Sequence, residues 1–291
     1  MIKPNFFIVG QTRSGTTTLY HHLKQHPDVF IVHTGSGFTL QFFGMFPTVK
    51  TEEEYLKIYS NVKNEKAIGE KNTDTLIDPK SAKQIHQYYP DAKIIINLRN
   101  PIDVMLSVHN LMVNAAAVEK ITDFEEALAA EETRTMEELK NPGTHDPFLF
   151  YRKTARYVDQ VQKYVDVFGL ENIHIQIFDD FKKDPLIEFQ KICRFLKIDD
   201  TFIPVMEHYN KRRISRSKTL QSLVNKTGRT RFRKIVRKVP KIQNAYNLIN
   251  RPYVNKDQIS EGVKMKLKKE LKPEIEELSK LIGRDLTFWY K

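Results

Sequence analysis

Residues 6–19 read FFIVGQTRSGTTTL, and this stretch decides the fold. An apolar run of strand length ends at Gly10, a short polar loop leads to Gly15, and a segment with helical spacing follows. A strand, a glycine loop and a helix N-terminus in series bring backbone N–H groups together, and the helix dipole there favours negative charge. The stretch therefore predicts a binding site for a phosphate or sulfate group.

Three further apolar, β-branched runs of strand length lie at residues 67–70, 93–98 and 173–178. Helical segments separate them, so strands and helices alternate along the chain. This alternation predicts an α/β fold of three layers, with a central, mostly parallel sheet covered by helices on both faces. Ligands of such sheets bind at the carboxyl ends of the strands, so functional residues are expected in the loops that follow them.

Polar caps followed by proline predict helix starts at Asp78-Pro79, Asn100-Pro101 and Asp184-Pro185. Longer helices are predicted over residues 123–139 and 148–168, where the apolar residues follow helical spacing. Residues 28–47 give a weaker signal, and we expect a loop over the binding site there.

The composition is that of a globular protein, with 40% hydrophobic and 29% charged residues among 291. We interpret residues 1–291 as one domain with a basic insertion, which could be mobile, around residues 211–245. The formal net charge of +11 indicates acidic partners but does not choose among nucleotides, glycans, nucleic acid and membranes. The single cysteine, Cys193, excludes an internal disulfide, and its helical surroundings predict a buried packing residue rather than a nucleophile.

The first apolar run is too short for a signal peptide, and no later stretch approaches the roughly 18 apolar residues of a transmembrane helix. We therefore expect the protein in the cytoplasm. Nothing in the sequence indicates an oligomeric state.

The spacing of Gly10 and Gly15 also occurs in nucleotide triphosphatases, whose loop continues with Lys and then Ser or Thr. Here Thr16 occupies the lysine position, and the cation lies inside the loop at Arg13. Little would then hold a γ-phosphate. The loop instead suits one terminal anion, held by backbone amides, hydroxyls and a guanidinium.

With its cation at this position, the segment of residues 12–17 resembles the 5′-phosphosulfate loop of sulfotransferases that use 3′-phosphoadenosine 5′-phosphosulfate (PAPS). That loop typically reads (P)-(K/R)-S-G-T-T after the first strand. A second family motif opens with R-(N/D)-P after another strand and has a serine eight residues past the arginine. Arg99-Asn100-Pro101 and Ser107 are similar to it.

Further similarities are less specific. Glu70-Lys71 resembles the E-K-(S/T)-P stretch of the branch that sulfates glycans, and Tyr157 falls where the family has a helix tyrosine. Residues 178–196 resemble the family's F-E-D-L…D-P…F-L run, and residues 281–289 look like the tails of bacterial members.

The resemblance implies a P-loop-like sulfotransferase that moves a sulfuryl group from PAPS to a hydroxyl of a saccharide or other small metabolite. Adenosine 3′,5′-bisphosphate would leave, and no metal would be required. Arg99 and Ser107 would hold the 3′-phosphate, and Arg13 would also stabilise charge on the bridging oxygen. The 5′-phosphosulfate would be held by the loop residues Arg13, Ser14, Gly15, Thr16, Thr17 and Thr18.

A general base is also needed, and here the chain departs from the family pattern. The glycan-sulfating branch has a glutamate shortly before a Phe-Phe pair, but no carboxylate precedes Phe42-Phe43 closely. The candidates are His33, whose ordinary pKa suits a base, and the carboxylates Glu70 and Asp74. Glu70 could instead form a salt bridge that orients Lys71, and His33 could have no role. Lys71 is expected near the sulfuryl group in a catalytic or positioning role.

Residues 211–241 contain thirteen Lys or Arg and no Asp or Glu. The resemblance implies that Arg213, Arg216 and Lys218 could close over the donor. Two other functions stay open: a kinase-like phosphoryl transferase, and a protein that binds nucleic acid or an anionic membrane through the basic segment. Few aromatic residues there are available for base stacking, so we expect no nucleic-acid partner, and a peripheral membrane contact is the more plausible of the two.

Overall fold

The computed structural model describes residues 2–34, 41–116, 118–135, 146–206 and 259–291. The basic insertion, with Arg213, Arg216 and Lys218, lies outside these residues. None of the helices in the described ranges is long and apolar enough to cross a membrane.

Five parallel strands form one sheet in the described part of the chain. The strands are β1 (Phe6–Gly10), β2 (Val29–His33), β3 (Ala67–Lys71), β4 (Lys93–Leu98) and β5 (Ile173–Ile177). They lie in the order β2-β3-β1-β4-β5, and every neighbouring pair is parallel. This confirms the predicted α/β class.

The strand β2 falls within residues 28–47, where the sequence predicts a loop, so that prediction was wrong for this part. The run Val29–Val32 is apolar and β-branched, as strands are. Because β2 lies at the edge of the sheet, alternate residues are only partly covered, and the apolar signal is short.

Ten α-helices cover the two faces of the sheet in the described part of the chain. Their bounds are α1 (Thr16–Leu23), α2 (Glu52–Leu56), α3 (Ser81–Tyr88), α4 (Pro101–Asn110), α5 (Phe124–Ala130), α6 (Tyr151–Ala155), α7 (Val158–Phe168), α8 (Phe178–Lys183), α9 (Pro185–Leu196) and α10 (Glu261–Ile282). A π-helical turn, Leu111–Ala116, extends α4, and a 3₁₀ turn, Thr287–Trp289, follows α10.

The caps at Asn100 and Asp184 are confirmed, since their side chains accept hydrogen bonds from the backbone N–H groups of Ile102 and Ile187. The helix predicted from Asp78 begins only at Ser81, because the Asp78 carboxylate accepts a hydrogen bond from the Ser81 hydroxyl instead of capping a backbone amide.

The two longer helices are shorter than predicted. Helix α5 ends at Ala130 rather than Leu139. The segment of residues 148–168 is divided between α6 and α7 because Arg156 takes an extended backbone conformation.

Side chains of β1 alternate between two hydrophobic cores. Phe7 and Val9 belong to the larger core, which α3, α4, α7 and α10 cover. Phe6 and Ile8 belong to the smaller core beneath α1 and α9. Cys193 packs fully buried in this smaller core, as predicted, and burial raises the pKa of its thiol to about 12. The buried sheet therefore holds its carboxyl-end loops in fixed positions.

Candidate active site

A cavity of about 380 Å³ opens at the carboxyl ends of the central strands. Most of the residues predicted to bind the donor line it. They are Arg13, Gly15, Thr16, Thr17, Thr18, Arg99 and Ser107. Lys71, which was predicted near the sulfuryl group in a catalytic or positioning role, lines it as well. Two motifs that lie about 90 residues apart in the chain thus meet in one cavity, as expected for loops at the same edge of a parallel sheet.

Two residues of the glycine loop have an unusual backbone conformation. Arg13 and Gly15 both have left-handed backbone conformations, with φ of 64° and 87°. A Cβ atom on Gly15 would also lie 3.0 Å from the Phe178 ring. Gly15 is therefore needed both for its backbone conformation and for the close approach of an aromatic side chain.

Helix α1 directs its N-terminus at the cavity. Its N-cap residue is Gly15, which has no side chain to occupy the first backbone amides, and its first turn contains no acidic residue. Thr16, Thr17 and Thr18 form that turn and line the cavity. Free amides, threonine hydroxyls and the helix dipole together favour an anion at this end.

Gln11 was not predicted as a site residue, yet the hydrogen bonds of its side chain hold the glycine loop in place. Its Nε2 donates to the Thr154 carbonyl oxygen at 2.6 Å, and its Oε1 accepts from the Thr12 backbone N–H at 2.6 Å. A fully buried polar residue directly after a buried strand is a usable signal, but its partner on α6 is distant in sequence.

Ser14 lies differently from the other loop residues. Its side chain is fully buried, its hydroxyl has no hydrogen-bond partner among the described residues, and the residue does not line the cavity. Its backbone N–H donates to the Gln11 carbonyl oxygen at 3.2 Å. The structure therefore places the Ser14 hydroxyl beneath the loop rather than facing a ligand.

The arginine of each motif donates a hydrogen bond to a residue of the other motif. Arg13 Nε donates to Ser107 Oγ at 2.9 Å, and Arg99 Nη1 donates to the Arg13 carbonyl oxygen at 3.3 Å. The Arg99 guanidinium also lies 4.9 Å from the centre of the Phe178 ring and pairs with the exposed Asp103 at 3.0 Å. Two guanidinium groups thus line one cavity at neighbouring positions.

Lys71 lines the same cavity from the end of β3. Its Nζ lies 2.7 Å from His33 Nε2, at the end of the neighbouring strand β2. Burial lowers the pKa of Lys71 to about 8, an effect that Asp74 partly offsets. Burial and the positive charge of Lys71 lower the pKa of His33 to about 3. At neutral pH the Lys71 ammonium therefore donates to a neutral His33 imidazole. His33 does not itself line the cavity.

Glu70 points to the opposite face of β3. It pairs in register with Phe7 and faces the larger core, whereas Lys71 pairs with Ile8. Both Glu70 oxygens are occupied, because Tyr55 Oη donates at 2.6 Å and Thr34 Oγ1 donates at 3.2 Å. Burial raises the pKa of Glu70 to about 7. The alternative salt bridge between the described side chains of Glu70 and Lys71 is not formed.

None of the described residues that line the cavity is Asp or Glu. Asp74, the third candidate base, is buried near Lys71 and also does not line it. In the described ranges, no cluster of His, Cys, Asp and Glu side chains could hold a metal ion.

Part of the cavity wall is aromatic and apolar, which sequence reasoning missed. This part is formed by Phe178, Phe181, Pro185 and Met206, and His22 and Lys182 also line the cavity. Phe178 and Phe181 follow β5, so their position after a strand was the available signal. Their orientation toward the cavity depends on how α8 packs.

A model of the sulfotransferase domain matches residues 3–243 of the chain. The chain belongs to the sulfotransferase family. A crystal structure of a sulfotransferase from Alicyclobacillus acidocaldarius is 27% identical, with a TM-score of 0.73 and 100% coverage of both chains. These findings confirm the predicted family, its P-loop-like fold and its enzyme class.

Two curated relatives are also similar to this sulfotransferase. Membrane-associated sulfotransferase kil1 from Dictyostelium discoideum is 28% identical over 111 residues, 38% of this chain. Bifunctional heparan sulfate N-deacetylase/N-sulfotransferase 1 from Caenorhabditis briggsae is 24% identical over 204 residues, 68% of this chain. In each case the match spans 23% of the relative's length.

Proposed function

We propose that this sulfotransferase takes its sulfuryl group from PAPS and transfers it to a hydroxyl of a saccharide or other small metabolite. One observation carries the donor assignment: Arg13 and Arg99 line the same cavity, and Arg99 donates to the Arg13 carbonyl oxygen while Arg13 donates to Ser107. A donor with a 5′-phosphosulfate and a 3′-phosphate needs two such cationic positions close together.

The cavity offers a place for each part of the donor. The 5′-phosphosulfate suits the amides and hydroxyls at the start of α1, and the 3′-phosphate suits Arg99 and Ser107. The purine ring suits the aromatic side chains of Phe178 and Phe181, which line the same cavity. The volume of about 380 Å³ lies within the usual range for ligand pockets.

The described residues can stabilise the charge that develops during transfer. As the sulfuryl group leaves, negative charge grows on the bridging oxygen of the nucleotide. Arg13, the first amides of α1 and the Lys71 ammonium are already fixed around that end of the cavity, so little reorganisation is needed. Arginine retains its proton, so Arg13 acts by electrostatic stabilisation and not as an acid.

We place the proton acceptor at His33 rather than Glu70. Glu70 is occupied by two hydroxyl donors and faces away from the cavity. His33 contacts Lys71, which lines the cavity, and a negatively charged donor beside Lys71 would raise the low pKa of the imidazole. Lys71 Nζ would pass one of its protons to His33 Nε2 and take up the proton of the acceptor hydroxyl, so that Lys71 stays an ammonium and His33 becomes an imidazolium.

A second cavity, of about 770 Å³, suits the acceptor. Its lining includes the apolar residues Met45, Ile77 and Pro79, four cations, and the carboxylates Glu131 and Asp159. The cations are Arg152, Lys153, Arg156 and Lys163. The second cavity adjoins the donor loop, because its lining residue Thr154 binds Gln11. Apolar patches beside polar groups fit a saccharide, and the name of the Caenorhabditis relative, which includes heparan sulfate, points to the same class.

The donor assignment is tested by titrating the full chain with adenosine 3′,5′-bisphosphate in metal-free buffer, beside ATP with Mg²⁺ and a DNA duplex. We expect a thermal shift and saturable binding with the bisphosphate alone. Absence of a shift, or unchanged affinity in Arg99→Ala, would refute the assignment. Preferential binding of ATP with Mg²⁺ would support the kinase-like alternative.

The acceptor assignment needs a separate experiment. Transfer from labelled PAPS should be measured over a panel of neutral and carboxylated oligosaccharides and small hydroxyl compounds. Charge reversal of the exposed Lys153, as Lys153→Glu, should raise the acceptor KM without changing the donor KM. Equal effects on both would show that the second cavity does not bind the acceptor.

A further inference from the structure

We infer that Trp289, in the C-terminal tail, is a positioning residue for the 3′-phosphate: it holds Arg99 in place without touching the ligand. The inference rests on the proposed donor. Trp289 is almost fully buried and does not line the donor cavity. Its influence on the site therefore passes through the residues that it contacts.

Trp289 contacts three residues, each of which either adjoins or binds Arg99 or is next in sequence to a residue that does. Its indole Nε1 donates to Asp179 Oδ2 at 3.0 Å, and its carbonyl oxygen accepts from Asn100 Nδ2 at 3.0 Å. Its ring lies edge-on to the Tyr157 ring, with centroids 6.4 Å apart. These contacts reach three different segments of the chain.

The same segments fix Arg99. Tyr157 Oη donates to the Arg99 carbonyl oxygen at 2.9 Å, which holds the backbone. Asn100, the next residue, caps α4 through Oδ1 while its Nδ2 binds Trp289. Phe178, which precedes Asp179, lies against the guanidinium. Trp289 thus joins the backbone support of Arg99 to its side-chain support.

Such support matters because an arginine side chain has many rotamers. A guanidinium held in place before binding loses less conformational freedom when it pairs with a phosphate. The Arg99 side chain is 24% exposed, whereas its partner Asp103 is 54% exposed, so that ion pair alone holds it weakly. The packed supports around Trp289 supply the rest of the restraint.

The tail is anchored at points that do not involve the Trp289 indole. Leu286 is fully buried and its backbone N–H donates to Ser279 Oγ on α10 at 3.1 Å. Arg284 Nη2 contacts both Asp180 oxygens at 3.1 Å. The conservative variant Trp289→Phe removes the indole N–H and keeps a ring, so the tail should stay in place.

The test compares two nucleotides that differ only at the 3′ position. Affinities of wild type and Trp289→Phe are measured by calorimetry for adenosine 3′,5′-bisphosphate and for adenosine 5′-monophosphate. We expect the preference for the bisphosphate to fall about threefold to tenfold in the variant, because Trp289 acts on the phosphate only through Arg99 and one hydrogen bond to a charged group sets the upper limit. The control is Tyr290→Phe, which removes the bond from Tyr290 Oη to Glu276 in the same tail and should leave the preference unchanged.

A second variant, Asp179→Ala, removes the acceptor of the indole N–H from the other side and should reduce the preference similarly. If Trp289→Phe does not fold, the same two affinities are measured for Asp179→Ala alone. Full retention of the preference in the folded variants, or equal loss of affinity for both nucleotides, overturns the inference. If wild type itself shows no preference for the bisphosphate, it is the donor assignment that fails.

Discussion

The two ends of the cavity that we propose for the donor are built differently. The 5′ end is local: one loop and the first turn of α1, residues 10–18, supply the amides, the hydroxyls and Arg13. The 3′ end is assembled from distant segments, because Arg99 is held by Tyr157, Phe178 and Trp289. A local site can be recognised as a motif in the sequence, whereas an assembled site needs the fold.

The difference also predicts how each end responds to mutation. At the 5′ end, charge develops during the reaction, so its residues should affect turnover. At the 3′ end, the phosphate keeps the same charge throughout, so its residues should affect binding of the donor and leave turnover nearly unchanged.

The largest effect is expected at the 5′ end. Arg13→Ala should lower kcat by roughly 10²–10³-fold, because it removes a fixed cation from the position where charge develops. Single-turnover rates at saturating donor are the measurement, with Arg13→Lys as the control that retains a positive charge and should lose less. A kcat within about threefold of wild type in Arg13→Ala would contradict the role assigned to this residue.

At the 3′ end, Arg99→Ala should weaken binding of adenosine 3′,5′-bisphosphate by roughly 10–100-fold, the cost of one charged hydrogen-bonding partner. The change in kcat should be much smaller. Asp103→Ala is the matched control. It should strengthen binding of the bisphosphate, because Asp103 competes with the phosphate for Arg99. Weaker binding in Asp103→Ala would show that this ion pair supports the site instead of competing with the ligand.

The pH dependence of kcat/KM for the donor should also differ between variants of Lys71 and variants of Arg99. Burial lowers the pKa of Lys71 to about 8, so its ammonium is lost as pH rises through that value. We expect kcat/KM for the donor to fall about tenfold per pH unit above the pKa, since this ratio reports groups of the free enzyme. The decline should be absent in Lys71→Arg and present in Arg99→Ala. Its persistence in Lys71→Arg would assign it to another group.

The smallest effect on turnover is expected for Glu70→Gln, within about twofold of wild type, because Glu70 faces the core. Its effect on stability should depend on pH. The folded pKa, about 7, lies above the ordinary value of 4.5, so the stability that Glu70 contributes is present below pH 4.5 and lost as pH rises through 7.

Thermal unfolding checks this second effect. The Tm of Glu70→Gln minus that of wild type should be more positive at pH 8 than at pH 5. A difference independent of pH would mean that Glu70 is ionised throughout. A large loss of kcat would instead restore Glu70 as the general base.

The sequence was sufficient where function depends on neighbouring residues. The strand, loop and helix of residues 6–23 and the cap at Asn100 follow from local spacing and propensity. The family motifs then indicated that Arg13, Arg99 and Ser107 belong to one site.

Other features depend on orientation, which sequence spacing does not determine. Glu70 and Lys71 are adjacent in β3, so their side chains point to opposite faces of the sheet. Of the two, Lys71 lines the cavity. Ser14 turns its hydroxyl beneath the loop for a similar reason. Trp289 is almost 190 residues from Asn100, so its contact with the 3′ end appears only when α10 packs against α4 and α7.

The most direct test of the account is a crystal structure with adenosine 3′,5′-bisphosphate bound in metal-free buffer. We predict that the 5′-phosphate lies at the N-terminus of α1, and that the 3′-phosphate lies within hydrogen-bonding distance of the Arg99 guanidinium and Ser107 Oγ. A nucleotide bound in the reverse orientation, or bound away from both arginines, would contradict it.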